Sequence, residues 1–403
     1  MKIIAHIDAD CFYVSCERIR DKSLVGRPVA VLGNQGVCVI AKSYEMKAYG
    51  VKTGMPIWEA KKLCPSAIYV KRDFEWYGSV SNAMQNILKN YSDVIEYYSI
   101  DESFLDLSGS RADMSKVALE MQREIHEKLD LSVSVGIAMS RTLAKMASEK
   151  NKPRGVLVLN KESLPCFLKN CDVDEVPGIG MKLSSRLAKY GIENCMDFVK
   201  AGRRSIKGIL HKPGEELWYE LQGKSLFAVR TQKSLPKMLS RGGGIAGDSS
   251  KEDYIYAFLV RNLERLCEAT WRYKIEFKNF HVVLQDWKSN FDGKHFELPD
   301  YTGDFEQLLY YLKAAMNELY SSRKKYRAVF LIGTDIRSAD VKQLNLFSAA
   351  NPKKTAFMEL KNIINEKFGN FTLRSASTAA APEIYRDLNS NYEITDVHGK
   401  FCF

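Results

Sequence analysis

The sequence predicts an α+β fold with more than one domain, on the basis of three observations. Strand and helix patterns mix from the N-terminus to about residue 160. Residues 163–235 are almost entirely helical in pattern, with breaks at "VPGIG" and "HKPGEE". After a segment rich in Gly, Ser and basic residues, residues 251–340 follow a helix, strand, strand, helix, strand pattern. A chain of 403 residues is long enough for roughly two to four such domains.

Each element in the first part of the chain is predicted from its own local pattern. Apolar, β-prone runs predict strands at "KIIAHID", "PVAVLG", "VCVIAKS", "LSVSVGIAMS" and "GVLVL". Helical spacing and helix boundary signals predict helices at "SYEMKAYG", "MPIWEAKKLC", 74–91, 113–129 and "RTLAKMASEKNKP". Between the third and fourth of these helices, "DVIEYYSI" and "SFLDL" predict the two antiparallel strands of a hairpin.

An acidic pair lies between the two hairpin strands, in "EYYSIDESFLDL" (Glu96 to Leu107). Asp101 and Glu102 are adjacent, so a straight strand would point one of the two carboxylates into the core. The hairpin places both acids in its turn, although Asp-Glu is a poor sequence for a tight turn. A local preference that is broken in this way marks a candidate functional site. Taken alone, however, such a pair more often caps a solvated turn.

A third acid gives the pair a chemical interpretation. Asp8 ends the apolar strand "KIIAHI". If this strand lies beside the hairpin, three carboxylates converge without any Cys or His. Oxygen-only clusters of this kind favour hard cations such as Mg²⁺. Two such ions can activate a 3′-hydroxyl and stabilise the leaving oxygen in phosphoryl transfer.

Composition limits the partners and the compartment. The net charge is +10 and the sequence pI is about 9.0, which favours a polyanionic partner such as nucleic acid, although many basic proteins bind none. The nine cysteines are scattered, without a CxxC pair, and are therefore expected to be reduced thiols. Acids occur by residue 8 and no apolar run approaches ~20 residues. We therefore expect a cytoplasmic protein with no membrane partner.

Three segments together resemble the Y-family, translesion DNA polymerases, in particular the UmuC-like branch. They are "HIDADCFYVSCE", "IAKSYEMKAYGVKTGMPIWEAKKLCP" and "YSIDESFLDLSG". The likeness includes "VSVGIAMSRTLAKMASEKNKPRG" and "VPGIGMKLSSRLAKYGI", and it keeps a consistent order through roughly the first 240 residues. Beyond that point only the architecture matches. The resemblance implies a template-directed DNA polymerase of low fidelity and low processivity that carries out translesion synthesis by two-metal nucleotidyl transfer.

The resemblance also implies a right-hand architecture. The expected parts are a ferredoxin-like palm (1–18 and 78–165), small fingers (19–77), a helical thumb with a helix-hairpin-helix (166–235), a linker (236–250), an α+β little finger (251–340) and a tail (341–403). The metal ligands implied for two Mg²⁺ ions are the carboxylates of Asp8, Asp101 and Glu102 and the backbone carbonyl of Ala9. Asp10 falls outside the family's catalytic set and is expected to be structural or to support the metal ligands without binding metal itself.

The resemblance implies that two groups of residues bind the incoming dNTP. Phe12 and Tyr13 follow the first acid, and the ring of Tyr13 is expected to stack under the sugar and exclude a 2′-hydroxyl. Tyr44, as a hydroxyl donor, and Lys47 and Lys152, as charges, are expected to hold the triphosphate.

Two departures from the family pattern bear on this triphosphate grip. Some members carry Thr at the position of Ala41 and Arg at that of Lys47. The first departure removes a hydroxyl donor and the second replaces a bidentate fork by a point charge. The grip on the triphosphate is therefore expected to be weaker or differently arranged.

The remaining implied partners are primer–template DNA and proteins. In "VPGIG" and the helix after it, Gly178, Gly180 and Lys182 are expected to contact a DNA phosphate without reading sequence. "QLNLF" resembles the pentapeptide by which bacterial polymerases dock on the sliding clamp, with Gln343 as polar anchor and Leu344, Leu346 and Phe347 as its apolar part. The alternative is a loop that folds back on its own domain. A UmuD-like accessory protein is a further implied partner.

Two other functional classes compete with the polymerase. A DNA-binding scaffold without catalysis does not require Asp8, Asp101, Glu102 and Tyr13, yet all four are present. Another two-metal palm enzyme, such as a nucleotidyl cyclase, leaves the helix-hairpin-helix and the clamp-like peptide unexplained. The polymerase is the class that accounts for all of these features.

Overall fold

The computed structural model describes residues 2–33, 37–231, 235–340, 352–369 and 371–381. Apart from residues 394–403, the chain divides into two compact units, Met1–Lys233 and Ser234–Glu393. Among the described helices, none combines the length and the apolar character that crossing a membrane requires.

The first unit contains every strand and helix predicted from the first part of the sequence, and two further elements, α1 and β4, that were not predicted. In chain order its elements are β1 (Ile4–Ala9), α1 (Phe12–Arg20), β2 (Val29–Leu32), β3 (Val39–Lys42), α2 (Tyr44–Ala48), α3 (Ile57–Leu63), β4 (Ile68–Lys71), α4 (Phe74–Leu88), β5 (Ile95–Tyr97), β6 (Glu102–Asp106), α5 (Met114–Leu129), β7 (Val133–Ala138), α6 (Arg141–Lys150), β8 (Val156–Val158), α7 (Leu164–Lys169), α8 (Met181–Ala188), α9 (Cys195–Lys200) and α10 (Gly202–Leu221). The break predicted at "HKPGEE" is a kink within α10, where His211 leaves the helical conformation.

Strand β1 lies at the centre of a five-stranded sheet with the order β5-β6-β1-β7-β8. It pairs antiparallel with both β6 and β7, and all six of its residues are buried. Ala5 and Ile7 pack in the core that α4 and α5 share, while Ile4 packs on the other face with apolar residues of α6. Burial on both faces explains why β1 is a nearly continuous apolar run in the sequence. Strands β3, β2 and β4 form a separate three-stranded sheet.

Helix α6 packs very closely against β7 at Gly136. A Cβ atom at this position would lie 2.2 Å from the carbonyl oxygen of Ala144 and 2.3 Å from the amide nitrogen of Ser148. Only glycine allows two backbones to approach in this way. The hydroxyl of Ser148 consequently reaches across to β1, where it lies 2.7 Å from Nδ1 of His6.

The second unit has the order of elements predicted for residues 251–340. Its elements are β9 (Met238–Ser249), α11 (Glu252–Arg272), β10 (Ile275–Asp286), β11 (Phe291–Thr302), α12 (Phe305–Leu319), β12 (Tyr326–Ser338) and α13 (Pro352–Phe368). The strands form one sheet with the order β11-β10-β12-β9. Helix α13, in the tail that the sequence left unassigned, is tied to α11 by the ion pair between Lys361 and Glu264 (2.6 Å).

The prediction of a linker at 236–250 is wrong for most of that segment, because β9 is an edge strand paired with β12. The segment was predicted to be a linker because it is rich in glycine, which usually weakens a strand. Gly242 pairs with Phe330, and a Cβ atom at Gly242 would lie 2.5 Å from the Phe330 ring and 2.4 Å from the carbonyl oxygen of Val329. Here glycine is required by close packing across the strands.

Replacing Gly136 with Ala is expected to lower the free energy of unfolding by roughly 3 kcal/mol, because the methyl group would overlap backbone atoms that have no room to move. Gly208 in α10 provides the matched control, since a Cβ atom there meets no atom within 4 Å. Gly208→Ala should be neutral or raise stability by about 0.5–1 kcal/mol. Urea denaturation of both variants measures the difference, and equal effects would contradict the close approach of α6 to β7.

Candidate active site

The strand register brings two of the predicted acids face to face. Asp8 near the end of β1 lies directly opposite Glu102 at the start of β6, so their side chains share one face of the sheet. Asp101 precedes β6, and its carbonyl accepts the amide N–H of Ala9 (2.9 Å). Both acids of the pair were predicted in the hairpin turn. The structure corrects this for Glu102, which is already the first residue of the strand.

A histidine joins the cluster, contrary to the expectation of carboxylates alone. His6 lies two residues before Asp8 on the same face of β1, is fully buried, and has its Nε2 3.4 Å from Oε1 of Glu102. One ligand atom each from His6, Asp8 and Glu102 lie within 4.8 Å of one another. Burial lowers the pKa of His6 to about 4, so its imidazole is neutral at physiological pH.

Two lysines from one side of the sheet contact these carboxylates. Lys145 of α6 pairs with Glu102, and Lys152, just after α6, pairs with Oδ1 of Asp8 (2.7 Å). Burial, with the neighbouring carboxylates, raises the pKa of Asp8 despite Lys152. Burial would likewise raise the pKa of Glu102, but its contacts with His6 and Lys145 bring it below the ordinary value. Burial therefore disfavours the charged form of Asp8, whereas the partners of Glu102 favour its charged form.

The third acid is held by a hydroxyl group. The Ser99 hydroxyl lies 2.5 Å from Oδ1 of Asp101 and 3.1 Å from Oε2 of Glu102, so it can donate to either carboxylate. Burial raises the pKa of Asp101, which indicates that its charge also needs a cation nearby. Three carboxylates at adjoining strand ends are the donor set of a hard divalent cation, and the residues present fit one.

Asp10 fixes the loop that carries Lys152. Its carboxylate is buried and accepts the hydroxyls of Ser132 (2.6 Å) and Ser134 (2.9 Å) and the backbone N–H of Arg154 (2.9 Å). All of its hydrogen bonds in the described residues thus run to neighbouring chain segments. The structural role expected for Asp10 agrees with these contacts.

The residues predicted to contact a nucleotide lie around the start of α1. Phe12 is buried, whereas the ring of Tyr13 is half-buried. Tyr44 and Lys47 are both on the short helix α2, with Nζ of Lys47 4.3 Å from the centre of the Tyr44 ring. Burial raises the pKa of Tyr44, and the nearby carboxylates of Asp10 and Asp8 add to the effect. Tyr44 therefore lies near Asp8 and Asp10, with Lys47 beside its ring.

Two contributors to this region were missed in the sequence. Burial and the charge of Lys47 lower the pKa of Lys42, the last residue of β3, which places a second cation beside Lys47. Helix α1 begins after Cys11, and within the described residues no side chain caps its N-terminus. The first N–H groups of such a helix are available to an anion. Lys42 lies within the segment "IAKSYEMK", which resembles the family, and its place in that segment could have identified it as a candidate.

The residues predicted to contact DNA lie in the loop before α8 and in its first turn. Val176 and Ile179 are buried, while Gly178, Gly180 and Lys182 are exposed at the start of α8. Gly178 has a φ of 97°, a conformation that favours glycine, and Gly180 is the N-cap of α8. The clamp-like residues Gln343, Leu344, Leu346 and Phe347 lie outside the described residues.

Comparison with known proteins identifies the family. Residues 7–149 match the model of the impB/mucB/samB family. DNA polymerase IV of Bacillus velezensis is 31% identical over 397 residues, covering 95% of this chain and 94% of the relative. DNA polymerase IV of Listeria monocytogenes serotype 4b (strain F2365) is 30% identical over 353 residues, covering 85% and 98%.

Solved structures agree with the sequence relatives. A Y-family DNA polymerase chimera of Dbh and Dpo4 has a TM-score of 0.73 at 26% identity, covering 83% of this chain and 99% of that one. An insertion ternary complex of Dbh DNA polymerase has a TM-score of 0.56 at 25% identity, with the same coverage.

The fold and the acidic cluster thus define a polymerase of the translesion class. The chain belongs to the Y family of DNA polymerases, with relatives named DNA polymerase IV. The predicted right-hand polymerase fold and DNA-directed DNA polymerase activity are confirmed, and the family uses divalent metal ions, for which the acidic cluster offers ligands. The UmuC-like branch stays a prediction.

Replacing Asp10 with Ala is expected to lower the free energy of unfolding by about 3 kcal/mol, because three donors would lose their acceptor in a buried site. Asp113→Ala is the matched control, since that exposed carboxylate accepts one backbone N–H at the start of α5 and should cost only about 1 kcal/mol. Chemical denaturation of both variants measures these values. An Asp10→Ala variant no less stable than the control would show that the loop does not depend on Asp10.

Proposed function

We propose that this polymerase extends a primer strand across damaged template DNA, and that Asp8, Asp101 and Glu102 are its catalytic carboxylates. The observation that carries the proposal is the pairing of Asp8 with Glu102 on adjacent strands, next to Asp101 and within reach of two lysines. Strands β2, β3 and β4 form only a small three-stranded sheet. The predicted fingers, which contain this sheet, therefore have little protein to close over a nascent base pair. Selection then depends mainly on base pairing, which explains low fidelity and tolerance of lesions.

The three carboxylates and the Ala9 carbonyl would hold two Mg²⁺ ions. When bound, Mg²⁺ lowers the pKa of the primer 3′-hydroxyl and stabilises the oxygen that leaves with pyrophosphate. The 3′-oxygen forms a bond to the α-phosphorus of the dNTP while the bond from that phosphorus to pyrophosphate breaks. Asp8, Asp101 and Glu102 would contribute the negative charge that this arrangement needs, and His6 contacts Glu102.

The triphosphate is assigned to the positive side of the site. Tyr44 supplies a hydroxyl, Lys47 and Lys42 supply charge, and the first N–H groups of α1 supply donors. Lys152, which pairs with Asp8 and with Glu149 (2.7 Å), would supply a further positive charge. Lys47 supplies a point charge in place of the bidentate guanidinium group of an arginine. Lys42 and the N-terminus of α1 would therefore contribute more to triphosphate binding.

The substrates assigned to the remaining residues are primer–template DNA and the sugar of the dNTP. A ternary complex of the similar Dbh DNA polymerase supports a site that holds nucleic acid and nucleotide together. Tyr13 would exclude the 2′-hydroxyl of a ribonucleotide by contact with C2′. Gly178, Gly180 and Lys182 would contact a backbone phosphate of the duplex through N–H groups and one exposed charge.

Primer extension on an undamaged and an abasic template tests the catalytic assignment. Asp101→Ala and Glu102→Gln are expected to lower the single-turnover rate by about 1000-fold or more on both templates. Asp106→Asn is the matched control, because Asp106 lies on the same strand and pairs with Lys2 away from the cluster. It should extend both primers at the wild-type rate. Wild-type rates in Asp101→Ala would refute the assignment.

A second proposal concerns "QLNLF" and rests on sequence alone. We propose that Gln343, Leu344, Leu346 and Phe347 dock this polymerase on a bacterial sliding clamp. The double variant Leu346→Ala, Phe347→Ala should lose the lengthening of products caused by added clamp, with unchanged distributive synthesis. Asn345→Ala, at the position that the motif leaves open, should retain the lengthening of products caused by added clamp. Equal clamp stimulation of both variants would contradict the proposal. Activity of the chain alone decides whether a UmuD-like protein is required.

A further inference from the structure

The ring of Tyr13 rests on a second tyrosine. Tyr77 of α4 stacks on it, with ring centres 4.7 Å apart and an angle of 18° between the planes. Phe12 and Phe74 each lie 5.8 Å from Tyr13, centre to centre, in tilted arrangements. Tyr77 is completely buried, so one face of the half-buried Tyr13 is covered by a ring that has no space to move.

A chain of hydrogen bonds locks Tyr77 in place. Its hydroxyl donates to Oε1 of Glu17 (2.7 Å), a buried carboxylate one turn after Tyr13 on α1. Arg20 donates to both oxygens of Glu17 and, through its other nitrogen, to Asp73 (2.8 Å). Asp73 in turn caps α4 by accepting the N–H of Trp76 (3.1 Å). The helix that carries Tyr13 and the helix that carries Tyr77 are thus joined on the same side of the site.

These contacts hold the Tyr77 ring in a fixed position against Tyr13. Burial and the bond to Glu17 raise the pKa of Tyr77, so it remains a neutral donor throughout the physiological range. The indole N–H of Trp76 also donates to the carbonyl of Cys16 on α1 (2.8 Å), which adds a third link between the two helices. A ring that excludes a single hydroxyl must keep its position within a fraction of an ångström.

We infer that Tyr77 is a positioning residue for sugar selection: by stacking on Tyr13 it holds that ring against C2′ and so sets how strongly ribonucleotides are excluded. This inference rests on the proposed role of Tyr13. It concerns discrimination between two substrates, whereas a residue with a structural role alone would affect both substrates equally. Tyr77 touches neither the sugar nor the reacting atoms in this scheme and acts through Tyr13.

The test compares kcat/KM for a dNTP with kcat/KM for the matching rNTP in primer extension. Tyr77→Leu removes the stacked ring and should lower the dNTP/rNTP ratio by roughly 3- to 10-fold, mainly through better use of the rNTP. Tyr77→Phe keeps the ring and loses only the bond to Glu17, so it should keep most of the ratio. Tyr91→Leu is the matched control, because Tyr91 also donates to a carboxylate, that of Glu124 on α5, without contact with Tyr13.

Three outcomes are decisive. A lowered ratio in Tyr77→Leu, with dNTP use and melting temperature near those of Tyr91→Leu, supports the inference. A ratio unchanged in Tyr77→Leu, or equal losses for both nucleotides, overturns it, provided that Tyr13→Ala lowers the ratio by ~10-fold or more. If Tyr13→Ala itself leaves the ratio unchanged, the proposed role of Tyr13 is wrong, and the role of Tyr77 falls with it. The last result leaves the catalytic carboxylates unaffected, since they are tested separately.

Discussion

Burial of three carboxyl groups at the ends of two adjacent strands is the constraint on which the candidate site depends. Asp8 and Glu102 face each other on β1 and β6, and Asp101 adjoins them, in a site too buried for water to screen their charges. Lys145 and Lys152 come within reach of them only because α6 lies against β7, where Gly136 has no side chain. The position of one glycine is therefore linked to the electrostatic balance of the catalytic cluster.

The same region connects the acids to the residues proposed to select the nucleotide. Helix α1 starts directly after β1, so Asp8 at the strand end and Tyr13 in the first turns of the helix have a fixed separation. Asp10, between them, holds the loop that carries Lys152. Tyr77 fixes the Tyr13 ring from α4. Asp8, the loop with Lys152 and the Tyr13 ring consequently depend on one short stretch of chain and its packing.

The acids and most elements of the first unit were predictable because their signals are local. A buried strand that ends in Asp8, and an acid pair that breaks turn preference, are visible in the sequence itself. Contacts that depend on register or on distant packing were not visible. Glu102 is a strand residue because Asp8 pairs with it, and His6 joins the cluster because it shares a face with Asp8. Lys145 resembles an ordinary helical lysine until α6 is placed on the sheet.

The clearest error was the prediction of a linker in the glycine-rich segment 236–250. It too arose because contacts with a distant strand are not visible in the sequence. The segment around Gly242 has the composition of a linker, yet it is an edge strand because the Phe330 ring and a backbone carbonyl occupy the space of a side chain. Composition reports what a segment prefers when isolated, whereas its partner strand determines what it forms. The stacking of Tyr77 on Tyr13 was hidden for the same reason, since the two residues are far apart in the sequence.

The central claim is that Asp8, Asp101 and Glu102 hold the two catalytic cations. The most direct measurement is a crystal structure of the protein with primer–template DNA and a non-hydrolysable dNTP analogue, grown with Mn²⁺ and examined by anomalous scattering. The structure predicts two manganese peaks at about 2.1 Å from oxygens of these three carboxylates, with Lys152 turned from Asp8 toward the triphosphate. Manganese bound elsewhere, with Asp8 and Glu102 still paired to their lysines and Asp101 still bonded to Ser99, would contradict the claim.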